Sequence, residues 1–499
     1  MGNASARDKE TVVVLGGGVA GLGVALALQG SHCEVVIVER DQPPPEIDAA
    51  ESFERWKRSG VFQFRHPHVF LGRLQRMLRD RYPDLLAELK RAGFWELPVS
   101  EYGIFRDGYQ KAPEDDDLVQ LCGRRATFEY VLQRYVRALP HVRVLYGTSV
   151  EGIALEGEGR SVRVRAVETK RGNERESLVG DVFIDCLGRR SPVFKWLLDH
   201  GRGGHEELQE AQTLAFSRHY RLHPGAKPQL REQSGDLDYL RFAIVYGEDG
   251  HFAISFSIAA SDEELKQLVR RADGFDRVAH TIPQVRDWVE HADALTPVMG
   301  VGDARNRWVN WADRGRPLVL GLLHAGDSAR ETNPIYGRGC STAFVDAHLV
   351  AEALAASKDP EQRARWFGAR VRAELRPYYE LAASTDRLFQ ARAMASRGLP
   401  ISPIDRFVGH AYLKLAVPAA FEDHHVARVL LGMQHMRRPS SPLATFALIA
   451  RMFYLAVRRL FGLGKPLPKI EIPLRKQITA LAGEQPASPS TPPSDLEAL

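Results

Sequence analysis

Cysteine is scarce. The chain has four in 499 residues, Cys33, Cys122, Cys186 and Cys340. They stand far apart and form no CxxC pair, so no disulfide framework is implied, a zinc site would need distant partners, and a reducing cytoplasm fits best. An excess of one charge is also missing. Sixty-seven Lys+Arg stand against 63 Asp+Glu, a net charge of +4, so electrostatics argue against nucleic acid as a partner. The first ten residues, MGNASARDKE, lack the apolar run of a secretory signal. Ala6 stands where the myristoylation pattern wants Ser or Thr. No internal repeat is present. What remains is ordinary globular composition, 44% hydrophobic and 26% charged, which excludes a disordered chain and a multi-span membrane protein. The length predicts about two to four domains.

Residues 11–15 read TVVVL, a β-branched run suited to a buried parallel strand. GGGVAGLGVALALQG follows as a glycine-rich turn and a small-residue helix, and EVVIVERD as a second strand ending on an acid. A helix is expected over 123–138 and strand-like alternation over 141–193. Two strands are expected around the turn Glu248-Asp249-Gly250. PLVLGLLHAGDS, 317–328, reads as another buried strand. From about 359 to 462 the pattern is helical. The Pro/Ser-rich stretch from 483 reads as a disordered tail.

Gly16, Gly18 and Gly21 form a GxGxxG fingerprint. The first permits the tight turn, the second lets backbone approach a pyrophosphate, and the third lets helix and strand pack closely. The helix N-terminus offers free N–H groups and a positive dipole to the phosphates. Glu39 closes the second strand, where its carboxylate accepts from an adenosine ribose and repels a 2′-phosphate. Strand, turn, helix, strand and acid in this order predict dinucleotide binding. The fingerprint does not choose between NAD and FAD.

A second motif does. HAGDSARETNPIYGRGCSTAFVDA starts at His324. Asp327 stands at a strand end, where open α/β sheets bind ligands, and suits ribityl hydroxyls. Pro334 and 337–339 mark a sharp loop before a new helix. The dipole of that helix would stabilise the anion of a reduced flavin.

With these motifs the chain resembles the flavin-dependent monooxygenases of the para-hydroxybenzoate hydroxylase fold. Within them it is most similar to bacterial polyene epoxidases of polyether biosynthesis, related to squalene epoxidase. The matching segments are VVVLGGGVAGLG, VIVERD, RSGVFQFRHPHVFL, RRATFEYVLQRYV, VFIDCLGRRS and GDSARETNPIYGRGCS, spanning 12–341. The resemblance implies FAD as cofactor. It places Gly16, Gly18, Gly21, Glu39 and Arg40 in the nucleotide site and Arg125 (or Arg124) on ribose and phosphate. It places Asp327 on the ribityl chain, with Pro334, Gly337, Gly339 and Cys340 around the isoalloxazine, within a loop running from Asn333. It implies a reduced flavin that meets O2, forms a C4a-hydroperoxide and epoxidises or hydroxylates a hydrophobic substrate of secondary metabolism. Electrons would come from NAD(P)H or a separate flavin reductase, because the middle motif, Asp185 to Ser191, departs from the relatives' DGxxSxVR. Arg338 adds a charge that relatives' loops lack. The WxWxIP motif of tryptophan halogenases is absent, since Trp308 and Trp311 in WVNW are spaced differently.

The expected architecture is α/β, a discontinuous Rossmann-like FAD-binding domain with an inserted β-rich substrate domain and a C-terminal helical region. The FAD domain takes 9–94, 119–200 and 303–358, and the substrate domain 95–118 and 201–302. The helical region takes 359–465 and an extended tail 466–499. Within the substrate domain, the β-rich substrate layer is read over 95–113 and 206–301, whose apolar content suggests a hydrophobic substrate. Gln63, His66 and His68, in VFQFRHPHVF, are the catalytic candidates, as groups donating near the flavin or as structural residues. No metal site is expected, and Glu422, Asp423, His424 and His425 read as a solvated face. Residues 443–462, LATFALIARMFYLAVRRLFG, are apolar nearly all round. They read as a helix packed on its own domain or as one lying on a membrane, not spanning it. The alternatives to a monooxygenase are a flavin-dependent reductase of isolated double bonds, a halogenase and a flavoprotein without turnover.

Overall fold

The structure is a computed structural model that describes residues 9–481 apart from 62, 106–107, 229–232, 303, 314, 412–414, 438–441 and 466–472. For 410 and 442–444 the backbone alone is described. The stretch read as a disordered tail lies outside the described residues.

In chain order the core is built from β1 (Glu10–Leu15), α1 (Val19–Ala27), β2 (Cys33–Val38), α2 (Arg125–Arg137), β3 (Val142–Leu145), β4 (Val182–Asp185), β5 (Leu322–His324), α3 (Gly339–Ala356) and α4 (Pro360–Ser396). The five strands form one sheet in the order β5-β4-β1-β2-β3, and every pair is parallel. A parallel sheet must be covered on both faces, because its strands are apolar throughout. Alternate residues of β1 show how this is met. Val12 and Val14 pack among α1 and α3, whereas Val13 and Leu15 face a three-stranded antiparallel sheet, Thr148–Glu156, Arg163–Arg171 and Glu174–Val179. The run 317–328 is not one strand: Arg316–Pro317 pairs with Ala312–Asp313, the backbone turns left-handed at Gly321, φ +74°, and only β5 joins the parallel sheet.

A second, antiparallel sheet has the order Ser234–Asp236, Leu240–Tyr246, His251–Ala259, Thr213–Leu222, Ala292–Ala294, with Met299–Val301 also on Thr213–Leu222. Its hairpin turns at Asp249 and Gly250, both with positive φ, +52° and +73°, as a tight two-residue turn requires.

Two expectations change here. The segment read as β-rich holds three helices, Glu263–Val269, Ala272–Thr281 and Pro283–Val289. Their buried residues, such as Leu265, Leu268, Val269, Phe275, Val278 and Ala279, recur at helical spacing and cover the sheet. The strand His205–Glu210 pairs with Arg305–Asn310, which pairs with Arg330–Glu331. It therefore ties the two layers together and is not part of the second sheet.

Candidate functional site

The cofactor cleft starts where β1 turns into α1. Gly16 has φ +105°, and a Cβ there would stand 2.6 Å from the Cys186 carbonyl oxygen. A Cβ on Gly21 would stand 1.9 Å from the Gly16 carbonyl oxygen, so the helix packs on the turn only because no side chain intervenes. A Cβ on Gly18 would meet nothing within 4 Å. The space before Gly18 is open, and Gly18 caps α1 with a free helix N-terminus. A turn with these three properties fits a pyrophosphate.

Glu39 stands at the end of β2 and lines the same cleft. Its Oε2 accepts from the Gly17 N–H at 2.8 Å and from Arg58 Nη2 at 3.1 Å, and its Oε1 accepts from the Asp41 N–H at 2.8 Å. Arg58 is buried among three carboxylates, Glu39, Asp41 at 3.0 Å and Glu129 at 2.8 Å. Arg58 is a site residue that the sequence reading missed. It sits in a segment without helical or strand periodicity, and its partners lie 17 to 71 positions away. Arg40 lines the cleft and donates to the Ser59 carbonyl.

From this end the cleft continues as one cavity of about 480 Å³ past Arg125, Arg189, Asp327 and the loop 334–340. Asp327 follows β5. Among the described residues none donates a hydrogen bond to its carboxylate, which burial holds above the ordinary aspartate value, with the charges of Arg125, Arg189 and Arg307 opposing. A half-buried carboxylate without a donor, facing a cavity, suits a ligand rich in hydroxyls. Pro334, Gly337, Arg338, Gly339 and Cys340 line the far wall, where α3 begins. Gly337 has φ +65°, which lets the loop reverse directly into the helix. Asn333 does not face the cavity. It is buried and donates to Asp386, as do the Tyr336 hydroxyl at 2.6 Å and Asn306 at 2.7 Å, so α4 anchors the loop.

No protein-family model matches the chain. Protein Rv3254 of Mycobacterium tuberculosis is 23% identical over 374 residues, covering 70% of this chain and 74% of that protein. Among solved structures, the flavin-dependent brominase Bmp2 superposes with a TM-score of 0.59 at 16% identity, covering 91% of this chain and 99% of that one. The p-nitrophenol 4-monooxygenase PnpA from Pseudomonas putida DLL-E4 superposes with a TM-score of 0.59 at 17% identity, covering 87% and 100%. The chain has the fold of the flavin-dependent monooxygenases and halogenases.

Within that fold the remaining candidates separate. Arg125 lines the cavity, with Nε on Glu129 at 3.1 Å and Nη1 on His68 Nε2 at 3.0 Å. Arg124 does not line it. Its backbone N–H and Nε hold Glu248 at 2.7 and 2.8 Å, and Nη2 donates to the Ala50 carbonyl. Glu248 belongs to the hairpin turn of the second sheet, so Arg124 ties the two layers together, and of the two arginines only Arg125 lines the cavity.

Gln63 and His68 line the cavity. His68 Nδ1 is 2.8 Å from the His66 carbonyl, an acceptor only, so that nitrogen carries the proton and Nε2 accepts from Arg125. Burial and the Arg125 charge lower its pKa to about 3. The expected donor role therefore does not suit His68, a neutral acceptor that orients Arg125. His66 faces a small neighbouring pocket beside Phe64 and His219, and burial lowers its pKa. The Cys340 thiol is pushed up by burial, which argues against redox chemistry there. Arg338 is buried and donates to the Tyr378 carbonyl at 2.8 Å.

The helical region expected to begin at 359 is not remote from the site. Leu375, Tyr378 and Tyr379 of α4 line the cavity with Trp308, giving it an aromatic and apolar wall. The acids at 422–423 are not a solvated face. Glu422 is buried and holds Arg459 at 3.0 Å, and Asp423 caps the next helix by accepting from the N–H groups of His425 and Val426. Among the described residues no group of three His, Cys, Asp or Glu is placed to hold a metal.

Proposed function

We propose that the chain is an FAD-dependent monooxygenase that places one oxygen atom of O2 into a small hydrophobic substrate, as an epoxide or a hydroxyl. The observation that carries this reading is the single cavity running from the Gly16–Gly18 turn, past Glu39, Arg125 and Asp327, to the start of α3. In it the Gly18 turn and the N-terminus of α1 would hold the diphosphate, and Glu39 would hold the adenosine ribose. Arg125 and Asp327 would hold the central phosphate and hydroxyl region, and the residues of the loop 334–340 that line the cavity would hold the ring. When bound, FAD supplies the electron transfer and the activation of O2. The chain positions, desolvates and neutralises. The N-terminus of α3 and the buried Arg338 place positive potential at the ring end, and Trp308, Leu375, Tyr378 and Tyr379 exclude water there. The resemblance of the sequence motifs to polyene epoxidases is what favours an alkene substrate.

The test uses the full chain, FAD, NAD(P)H and a panel of linear isoprenoid and polyene alkenes under ¹⁸O2. Incorporation of one ¹⁸O per product supports the reading. Products formed without O2 and carrying two added hydrogens would replace it with alkene reduction, and products that require added bromide or chloride with halogenation. NAD(P)H that fails to reduce the flavin assigns the electron supply to a separate reductase.

A further inference from the structure

The C-terminal region adds α5 (Pro403–Ala411), α6 (Val417–Glu422), α7 (His424–Gln434) and α8 (Pro442–Leu460). Helix α8 is apolar nearly all round, and only part of it is used in packing. Leu448 and Leu455 are buried against α6 and α7. On the opposite side Phe446, Ile449, Phe453, Tyr454 and Leu460 are 54–84% exposed. At 100° per residue these five and the two leucines fall on opposite faces of the helix. Phe461 and Leu463 continue the apolar surface just beyond the helix end. Among the described residues, twelve of the sixteen exposed large apolar side chains lie between 399 and 474, including all five aromatic ones. Scattered single residues of this kind need no explanation, but a contiguous face does.

Charge indicates what covers the face. Residues 401–465 hold nine Lys and Arg against three Asp and Glu, a surplus of six in a chain whose total surplus is four. All three acids are engaged locally. Asp405 accepts from the Ser402 hydroxyl, Glu422 pairs with Arg459 and Arg458, and Asp423 pairs with Arg451 at 2.6 Å. Arg406 and Lys465 are exposed. Arg428 is held by Asp115 outside the segment, so five of the nine cations have no acid of the segment left to pair with, and in a two-fold dimer these like charges would meet one another. Residues 482–499, AGEQPASPSTPPSDLEAL, have no amphipathic periodicity with which to cover an apolar stripe. No helix among the described residues is long and apolar enough to cross a membrane.

We propose that α8 docks the protein flat on an anionic membrane surface, with Phe446, Ile449, Phe453 and Tyr454 in the acyl boundary and the flanking cations among the headgroups. An apolar face beside excess Lys and Arg is the pattern of an interfacial helix. Docking also gives a lipophilic substrate a source. That consequence rests on the monooxygenase reading, whereas the docking does not.

The test is co-sedimentation of the full chain with phosphatidylcholine vesicles, with and without phosphatidylglycerol. The protein should pellet with the phosphatidylglycerol vesicles and partition at least about tenfold less when Phe446→Ser and Phe453→Ser are combined. Both side chains are exposed, so the double variant should keep the wild-type melting temperature. Arg406→Glu with Lys465→Glu should weaken binding to the anionic vesicles in a salt-dependent way and serves if the first variant unfolds. Wild-type protein that stays in the supernatant with phosphatidylglycerol vesicles at low salt overturns the proposal. So does a dimer in sedimentation equilibrium that is lost in the phenylalanine variant while no vesicle binding is seen, which assigns the face to a second copy.

Discussion

Asp327 gives a test that separates ligand binding from folding. Its carboxylate lines the cavity and receives no hydrogen bond from the described residues; burial raises its pKa, against the charges of Arg125, Arg189 and Arg307. In the flavin-free protein, then, the ionised group opposes folding. The sign follows from linkage. A folded-state pKa above the ordinary 3.8 means that this side chain's favourable contribution is present below that pH and is lost as pH rises through the folded value. Asp327→Ala should therefore leave the flavin-free protein at least as stable as wild type at neutral pH, with a difference that shrinks on acidification. Binding should respond the other way. Hydrogen bonds to a charged acceptor contribute about 1.5–3 kcal/mol, so FAD should bind about 10–150-fold more weakly. Thermal melting of flavin-stripped protein and fluorescence titration with FAD read the two effects separately. A variant that melts well below wild type without flavin, or one that binds FAD as tightly as wild type, would refute the assignment.

Glu39→Ala should show the opposite balance. It removes the acceptor of two backbone N–H groups, while Arg58 keeps Asp41 and Glu129 and a carboxylate whose pKa burial raises is taken away, so the flavin-free protein should lose about 1–3 kcal/mol, measured by urea unfolding. An unchanged midpoint would mean that the two N–H groups do not depend on Glu39. The link between the layers should govern acid stability. Burial would push the Glu248 carboxyl up, but Arg124 and the Thr127 hydroxyl outweigh it and hold the group below the ordinary 4.5. Its stabilisation is thus present above about pH 4.5 and lost as pH falls through the folded value. Glu248→Gln should lower the melting temperature at neutral pH and flatten its decline in acid. A decline as steep as in wild type would place the acid-sensitive contact elsewhere. Arg124→Met should destabilise the protein in the same way, and a variant that loses FAD while keeping its melting temperature would return Arg124 to the ligand.

What could be read from the sequence was local. The β1–α1–β2 unit is set within thirty residues by a β-branched run, three glycines and an acid, and only the approach of Gly16 to Cys186 brings in a distant partner. The hairpin at Asp249-Gly250 is legible for the same reason. The parts that escaped depend on partners far along the chain. Arg124 and Arg125 are neighbours with the same chemistry, yet one turns to Glu248, 124 positions away, and the other to the cavity. Their order in the sequence does not tell which does which. Arg58 and the residues of α4 that wall the cavity carry no motif at all. They belong to the site because α4 packs across the sheet and places Tyr378 and Tyr379 at the end of the loop 334–340.

Helix α8 shows the same limit from the other side. A helix apolar on every face can be buried all round, or can be packed on one face and open on the other, and periodicity is blind to the difference. Only the position of Leu448 and Leu455 against α6 and α7 decides it. Once they are placed inward, Phe446 and Phe453 must point out, because residues five positions and two positions away from a buried leucine lie across the helix axis. The arginines then follow. Arg451 and Arg458 fall at the border between the two faces, where each reaches an acid of the 422–423 pair. Those two acids are the element the sequence reading took for a solvated surface. They instead neutralise the arginines at the border, hold the helix in place and leave its outer face apolar.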